Sequence, residues 1–357
     1  MISIKLRKNI LFAFVVLFAF ASCKKNGNPT VTHPTVPPSY PVVNTGADVY
    51  LAGTTTAAYP NNYPLATYWK NGVATLLADS LSNLNSEADA IALSGTDVYI
   101  AGQTHIGVYN VATSWKNGVV TQLANSQAAS QAVAIAVSGN DVYIAGSATA
   151  SDGSIVATYW KNGVATMLPG NSTVSTEANA IAVNGSDVYM AGFTYIFGST
   201  GYYEATYWKN GVATLLSVSP SGSVASGIAI SGTDVYVVGF INNVATIWKN
   251  GTATSLADAA SASMAKAIAI NGADIYVGGY INSVAAYWKN GVATMLTFGS
   301  PGNNQYLANA IALNGSNVFV AGGFDSPGNN SFYWWNGTPV KLGGGNSALN
   351  GIAVMPN

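Results

Sequence analysis

The sequence predicts an all-β chain that closes into a ring of seven four-stranded antiparallel sheets. Three observations predict it: one phrase recurs seven times at a near-constant interval, each repeat holds four short β-forming runs, and the two ends of the chain carry complementary fragments of one repeat. The phrase Asp-Val-Tyr begins at Asp48, Asp97, Asp141, Asp187 and Asp234, then varies to Asp274-Ile-Tyr and Asn317-Val-Phe. Trp-Lys-Asn-Gly follows each copy, at Trp69, Trp115, Trp160, Trp208, Trp248 and Trp288, with Trp334-Trp-Asn-Gly ending the series. Successive tryptophans are 40 to 48 residues apart, a period that belongs to sheet-repeat architectures.

Within a unit, the first run is Ala-Ile-Ala-Val/Leu, as at Ala90 to Leu93, and its small side chains suit the crowded centre of a ring. A Ser-Gly or Asn-Gly turn leads to the second run, Asp-Val-Tyr-x-Ala-Gly. The third, Ala-Thr-Tyr-Trp, carries bulk suited to the wedge-shaped gaps farther out. Lys-Asn-Gly then joins it to the fourth, Val-Ala-Thr-x-Leu; Asn-Gly between β-formers is a strong hairpin signal because both residues accept positive φ. No window holds a 3.6-residue apolar period, so no amphipathic helix is expected. Runs apolar on both faces fit sheets sandwiched between neighbours.

The first unit lacks its Ala-Ile-Ala run, whereas the chain finishes on a spare copy, Gly351-Ile352-Ala353-Val354. The C-terminal strand therefore completes the first blade and removes the open edges of the ring. The fold class is a seven-bladed β-propeller over residues 42–357. The repeat resembles the kelch-type propeller repeat, whose second strand ends in Gly-Gly, as at Gly278-Gly279 and Gly322-Gly323; the other units have Ala-Gly or Val-Gly. That resemblance implies a scaffold and carries no activity, since kelch-like propellers include enzymes and binding modules. Trp-x-Asn-Gly with a following Leu is also similar to short extracellular repeats of bacterial secreted proteins.

Composition narrows the function. Of 357 residues, 49% are hydrophobic and 8% charged, with 38 Gly, 8 Trp, 20 Tyr, one Cys and two His. A mean hydropathy of +0.27 excludes a disordered chain. The formal charge is −1, and without Lys5, Arg7 and Lys8 the chain holds 10 basic against 14 acidic groups, so no nucleic-acid partner is expected. One cysteine leaves no intrachain disulfide, and two histidines make a His-rich metal or acid/base site improbable. No cofactor is expected.

Residues 1–22 read as an export signal: Lys5, Arg7 and Lys8 precede an apolar run from Ile10 to Ala21, about a dozen residues where a spanning helix needs about 20. Ala21-Ser22 before Cys23 resembles the bacterial lipoprotein signal, with Phe20 where that signal usually has Leu. The resemblance implies acylation of Cys23 and an exported lipoprotein of the cell envelope, expected in the outer membrane; the alternative is an ordinary signal peptide with an incidental thiol. Residues 23–41 hold Pro29, Pro34, Pro37, Pro38 and Pro41 and predict an extended tether. His33 falls there and is given no chemical role.

The two faces of such a ring differ. Turns joining strands one to two and three to four are uniform. Loops joining two to three, and blade to blade, vary, with the former running from Phe240–Val244 to Phe193–Glu204. Eight tyrosines outside the repeated positions fall on that variable face: Tyr59, Tyr63, Tyr109, Tyr195, Tyr202, Tyr203, Tyr280 and Tyr306. Irregular loops on a rigid scaffold commonly carry binding groups; local packing over the blade tops is the alternative. The residue preceding each Ala/Gly-Ile-Ala, nearest the axis, reads Asp89, Val133, Asn179, Ser226, Lys266, Asn309 and Asn350. A set that changes from blade to blade suits an asymmetric ligand, and amides beside aromatic loops suit a neutral, hydroxyl-rich one such as a glycan; solvation of the channel mouth is the alternative.

The repeated aspartates are expected to accept backbone N–H groups in their turns rather than hold a metal, and the repeated lysines to form a solvated rim. Among the other acids, Glu87 and Asp89 stand two apart, a spacing open to paired carboxylates. His105, near Tyr109, is expected to be a hydrogen-bonder. The resulting expectation is a membrane-tethered, monomeric, non-catalytic binding module for a glycan or envelope protein. Its alternatives are a hydrolase or lyase using Glu87, Asp89, His105 or Glu204, and a structural envelope protein with no small ligand.

Overall fold

The computed structural model describes residues 45–56, 63–77, 85–124, 128–168, 174–198, 201–217, 222–297, 306–324, 332–342 and 347–356. The leader, Cys23, the tether and Tyr59 lie outside the described residues. Those described form 28 strands and no helix, arranged as seven four-stranded antiparallel sheets. Each inner strand packs against the inner strands of the blades before and after it, including the C-terminal strand Ser347–Pro356, which touches its neighbours on both sides and closes the ring. That strand pairs with Ala47–Thr56 and supplies the innermost position of blade 1, as the spare Gly-Ile-Ala predicts.

The core lies between blades rather than at one centre. Trp69, Trp115, Trp160, Trp208, Trp248, Trp288 and Trp334 are the largest fully buried side chains, one per blade. Trp208, for example, packs with Tyr143, Ala145 and Leu168 of the preceding blade. Wide rings fill the diverging gap while alanines such as Ala178 let the inner strands approach.

Every Asn-Gly turn between third and outer strands has positive φ at both residues, for instance 50° at Asn117 and 82° at Gly118. The turn asparagine does more than supply φ. Asn117 accepts from the Val98 N–H at 2.9 Å through Oδ1 and donates from Nδ2 to Asp97 at 2.8 Å. The second Asp97 oxygen takes Lys116 Nζ at 2.8 Å and the Tyr99 hydroxyl at 3.2 Å, while the ammonium sits 5.0 Å from the Tyr99 ring centroid. Six blades repeat this lysine–aspartate pairing. This corrects two expectations: the aspartates accept from side chains rather than from turn N–H groups, and the lysines are paired rather than simply solvated. In blade 7 Asn317, Phe319 and Trp335 replace Asp, Tyr and Lys together, and the amide link survives as Asn336 Nδ2 to Asn317 Oδ1 at 2.8 Å. Joint replacement shows that the charged trio acts as one unit.

The outer strands depart from the expectation of runs apolar on both faces. Four residues long, they leave Val119, Val164, Val212 and Val292 at least 70% exposed. Each is fastened instead by the leucine that follows, as where the Leu168 N–H donates to the Ala157 carbonyl at 2.8 Å. Such brevity limits the open edge available to another chain.

Candidate functional site

All seven axial residues nominated by position occupy the same structural feature. In each inner strand the register slips by one residue at that place, between Ala88 and Ala90, Ala132 and Ala134, Ala178 and Ala180, Ala225 and Gly227, Ala265 and Ala267, Ala308 and Ala310, and Leu349 and Gly351. Asp89, Val133, Asn179, Ser226, Lys266, Asn309 and Asn350 are therefore the extra residues of seven β-bulges, which bend the strand and re-aim a side chain.

The bulge explains the repeated glycine that ends Asp-Val-Tyr-x-Ala-Gly. A Cβ at Gly102, Gly146, Gly192, Gly239, Gly279 or Gly322 would coincide with the carbonyl oxygen of the residue two places before the bulged one, such as Glu87 or Glu177. Only hydrogen leaves room for that carbonyl. The two Gly-Gly pairs are consequently out of step: Gly279 is the second of its pair and Gly322 the first of its own.

Several bulged residues link blades. Asn179 Nδ2 donates to the Ala225 carbonyl at 2.9 Å, Asn309 Nδ2 to the Leu349 carbonyl at 2.9 Å, and Asn350 Nδ2 to the Ala88 carbonyl at 3.2 Å. Each target immediately precedes the next blade's bulged residue. Lys266 Nζ donates to Asn309 Oδ1 at 2.8 Å, and Asn350 also reaches Asp89 Oδ1 at 3.3 Å. A polar arc thus runs through blades 6, 7, 1 and 2, and the asparagines combine stapling with their place at the channel.

A second ring, which sequence reasoning overlooked apart from Glu87, lies two residues nearer the mouth: Glu87, Gln131, Glu177, Val224, Met264, Leu307 and Ala348. It is polar on blades 2 to 4 and apolar on blades 5, 6, 7 and 1. Gln103 Nε2 holds Glu87 at 2.8 Å, and Gln131 Nε2 reaches across blades to Glu177 at 3.2 Å. Enclosure by the inner strands pushes the half-buried Asp89 carboxyl up to about 8, with a further contribution from the nearby negative charge of Glu87. Burial likewise raises Glu177, partly opposed by the Gln131 hydrogen bond. The six lysine–aspartate pairs lie at the opposite face, and at the mouth Glu87, Glu177 and Asp89 each take a hydrogen bond from a neutral amide.

The tyrosines divide. Tyr195 and Tyr203 are paired across neighbouring strands of blade 4 with ring centroids 4.8 Å apart, Phe193 meets Tyr203 edge-on at 5.0 Å, and Phe197 meets Tyr195 edge-on at 5.0 Å. Phe193, Tyr195 and Tyr203 lie in extended strands where sequence reasoning placed a loop. The Tyr203 hydroxyl is raised by burial, with added repulsion from Tyr195 and Glu177, and Glu177 is the cross-strand partner of Phe193. Tyr280 is opposite Met264 at the mouth. Tyr109 and Tyr63 are exposed on blades 2 and 1. Tyr306 starts the inner strand of blade 7, and its side chain lies outside the described residues. It occupies the register of Ser86, Ser130, Thr176, Ser223 and Ser263, whose side-chain oxygens each accept a backbone N–H from the preceding blade at 2.9 Å.

His105 Nδ1 lies 3.0 Å from Asn110 Oδ1, across a hairpin from Tyr109's strand position, and makes the local link expected of it. Glu204 is 4% exposed, and burial raises its carboxyl. Among the described residues, no three His, Cys, Asp or Glu side chains group as a metal site.

No protein family and no curated protein matches the chain. Solved structures do. A puromycin-hydrolysing peptidase of Mycobacterium tuberculosis is similar over 85% of this chain and 52% of its own, at 10% identity and a TM-score of 0.56. The computationally designed protein Ika8 is similar over 86% of this chain and 97% of its own, at 18% identity and a TM-score of 0.45. The present chain spans about half the length of the peptidase, and identities this low speak to the fold alone.

Proposed function

We propose that this chain is a non-catalytic binding module, held at a bacterial envelope membrane through acylated Cys23, whose variable face takes a glycan or protein ligand at the channel mouth. One observation carries the reading: seven bulges at the same register hold seven positions around an axis, and five kinds of residue occupy those positions while the scaffold around them repeats. Conserving only the geometry would suffice for a structural ring. The mixture of carboxylate, amide, ammonium and hydroxyl at Asp89, Asn179, Ser226, Lys266, Asn309 and Asn350 supplies the few convergent polar groups that orient a ligand in a concave site. Of the two ligand classes we favour a glycan, because the axial amides Asn179, Asn309 and Asn350 share the face with the Tyr195–Tyr203 ring pair and Tyr280.

A carbohydrate array probed with the full chain tests this directly: retention of a defined glycan class is expected, and background signal throughout would overturn it. For the anchor, Cys23→Ala is expected to move the protein from membrane to soluble fractions, whereas unchanged partition would contradict acylation.

A second reading, hydrolysis or lysis, is favoured by one specific observation. Asp89 is pushed up to about 8 beside Glu87, and carboxyls driven apart in affinity for protons can serve as acid and base. Under that reading Glu87→Gln or Asp89→Asn abolishes turnover of a bound glycan while the protein stays folded; a glycan recovered intact after prolonged incubation with the wild-type chain removes it.

A further inference from the structure

The second strand of blade 4 rises past that of its neighbour, and its aromatic cluster is only half-buried by the described residues. Its second strand, Asp187–Ile196, has ten residues, whereas the equivalent strand of blade 5, Asp234–Ile241, has eight and turns back at Asn242 and Asn243. Tyr189 and Ala191 of the longer strand pack on blade 5. Alternation puts Phe193 and Tyr195 on that same side, Phe197 just past the strand end meets Tyr195 edge-on, and at about 3.3 Å per residue the overshoot is about 7 Å. The side that blade 5 covers lower down therefore emerges near the mouth, where Phe197 is 54% exposed. Tyr203 joins these rings from the third strand.

Charge says what should cover them. Glu177 is the cross-strand partner of Phe193 in blade 4, Glu87 lies on blade 2 of the same mouth, and neutral amides hold both carboxylates, whereas Asp89 keeps its proton at neutral pH. Lys266 stands at the same mouth, on blade 6, where it donates to Asn309, and the six rim lysines are paired at the other face. An occupant bringing positive charge next to an apolar ring face gains from complementarity to the carboxylates and from the aromatic quadrupoles. A purely neutral occupant leaves the charge unanswered, and an anionic one meets repulsion.

We propose that Phe193, Tyr195, Phe197 and Tyr203, together with Glu177, form a subsite for an amine-bearing sugar unit. The C–H face of the sugar lies against the tyrosine rings, and its ammonium is held by the Glu177 carboxylate. This rests on the glycan reading of the channel mouth and specifies which glycan. A lysine-bearing peptide would also supply an ammonium, but Gln131, Asn179 and the two tyrosine hydroxyls offer donors and acceptors spread around the surface, as the hydroxyls of a pyranose require.

The test is titration calorimetry of the full chain at pH 6 and low salt with three oligosaccharides of equal length: glucosamine hexaose, its N-acetylated form, and cellohexaose. The glucosamine form is expected to bind at least ~10-fold tighter than the other two. Glu177→Gln should bring that ratio to within about twofold at an unchanged melting temperature, whereas Lys289→Met on the opposite face should leave it intact. Equal affinity for the three sugars, or an undiminished preference in Glu177→Gln, overturns the amine subsite and leaves the glycan reading standing. Binding of none overturns both, and tighter binding of a lysine pentapeptide than of glucosamine hexaose reassigns the surface to a protein partner and also overturns it.

Discussion

The two ends of the central channel are made from the same seven units and use charge in opposite ways. At the uniform face six aspartates meet six lysines at 2.7–2.9 Å, each pair repeated with the same asparagine and tyrosine. At the variable face carboxylates meet amides, lysine meets amide, and no two blades present the same combination. Asparagine staples occur at both ends: Asn271 Nδ2 donates to the Gly315 carbonyl at 2.7 Å near the uniform face, as Asn350 does to Ala88 at the other. Neutralised charge in repeated geometry is what a scaffold needs. Uncompensated charge in repeated geometry is what recognition needs, and the bulge lets the second be grafted on the first without altering the strands beneath.

That contrast can be broken most severely through backbone space. Gly192→Ala would drive a Cβ onto the Glu177 carbonyl, whereas Gly163 at the uniform face has positive φ and open space around it. We expect Gly192→Ala to cost more than about 3 kcal/mol or to prevent folding, and Gly163→Ala to cost about 1 kcal/mol, read from urea unfolding midpoints. Equal losses would mean that the bulge is not rigidly held.

The staples come next in size. Asn350→Ala removes the link from the closing strand to blade 2 and strips a half-buried carbonyl of its partner, an expected loss of about 1 kcal/mol. Asn271→Ala, at an exposed position, is expected to lose less than half of that. The reverse order would place ring closure at the uniform face.

Proton linkage separates the faces by sign. Burial pushes the Asp89 carboxyl up to about 8 in the folded chain from the ordinary aspartate value of about 3.9, so the folded state holds this proton between those limits and the unfolded chain does not. Its effect is to lower stability as pH rises from about 4 to 8. Asp89→Asn should therefore raise the melting temperature by about 2 °C at pH 8 and hardly at all at pH 4. The rim aspartates are held below the usual carboxylate range by hydrogen bonds and ammonium neighbours, so their contribution is present above about pH 4 and fades as pH falls further. Replacing Lys116 by Met should be the smallest change, visible in low salt and absent in 0.5 M salt, because exposed pairs are screened. A melting temperature that climbs steadily from pH 4 to 8 in the wild type, and equally in Asp89→Asn, would remove Asp89 from this account.

Much of the scaffold was legible because its signals are local. Asn-Gly turns, spacing of the tryptophans and the spare Gly351-Ile352-Ala353 give blade count and closure without any long-range information. The nominated axial positions were also legible, since Asp89 and its equivalents vary inside an otherwise constant phrase. What stayed hidden depends on one extra residue per strand. A bulge changes which carbonyl faces Gly102 and which side chain reaches the mouth, and no propensity announces it. Glu177 and Gln131 were missed although the position two before each bulge varies just as Asp89's does; the signal was there in Ser-x-Ala-x-Ala-Ile-Ala, where both x positions change while the first position is Ser or Thr in every blade but the seventh. The pairing of Asp97 with Lys116, which lie 19 residues apart in sequence, becomes predictable only once both are seen to flank the same end of a hairpin.

Hydroxyl-radical footprinting of the full chain with and without glucosamine hexaose tests the division of labour between the faces most directly. Met264, Phe197 and Tyr203 at the mouth should be protected from oxidation by the sugar, while Met167 and Met295, exposed on outer strands, react unchanged. Protection of Met167 and Met295 with undiminished oxidation at the mouth would contradict the account.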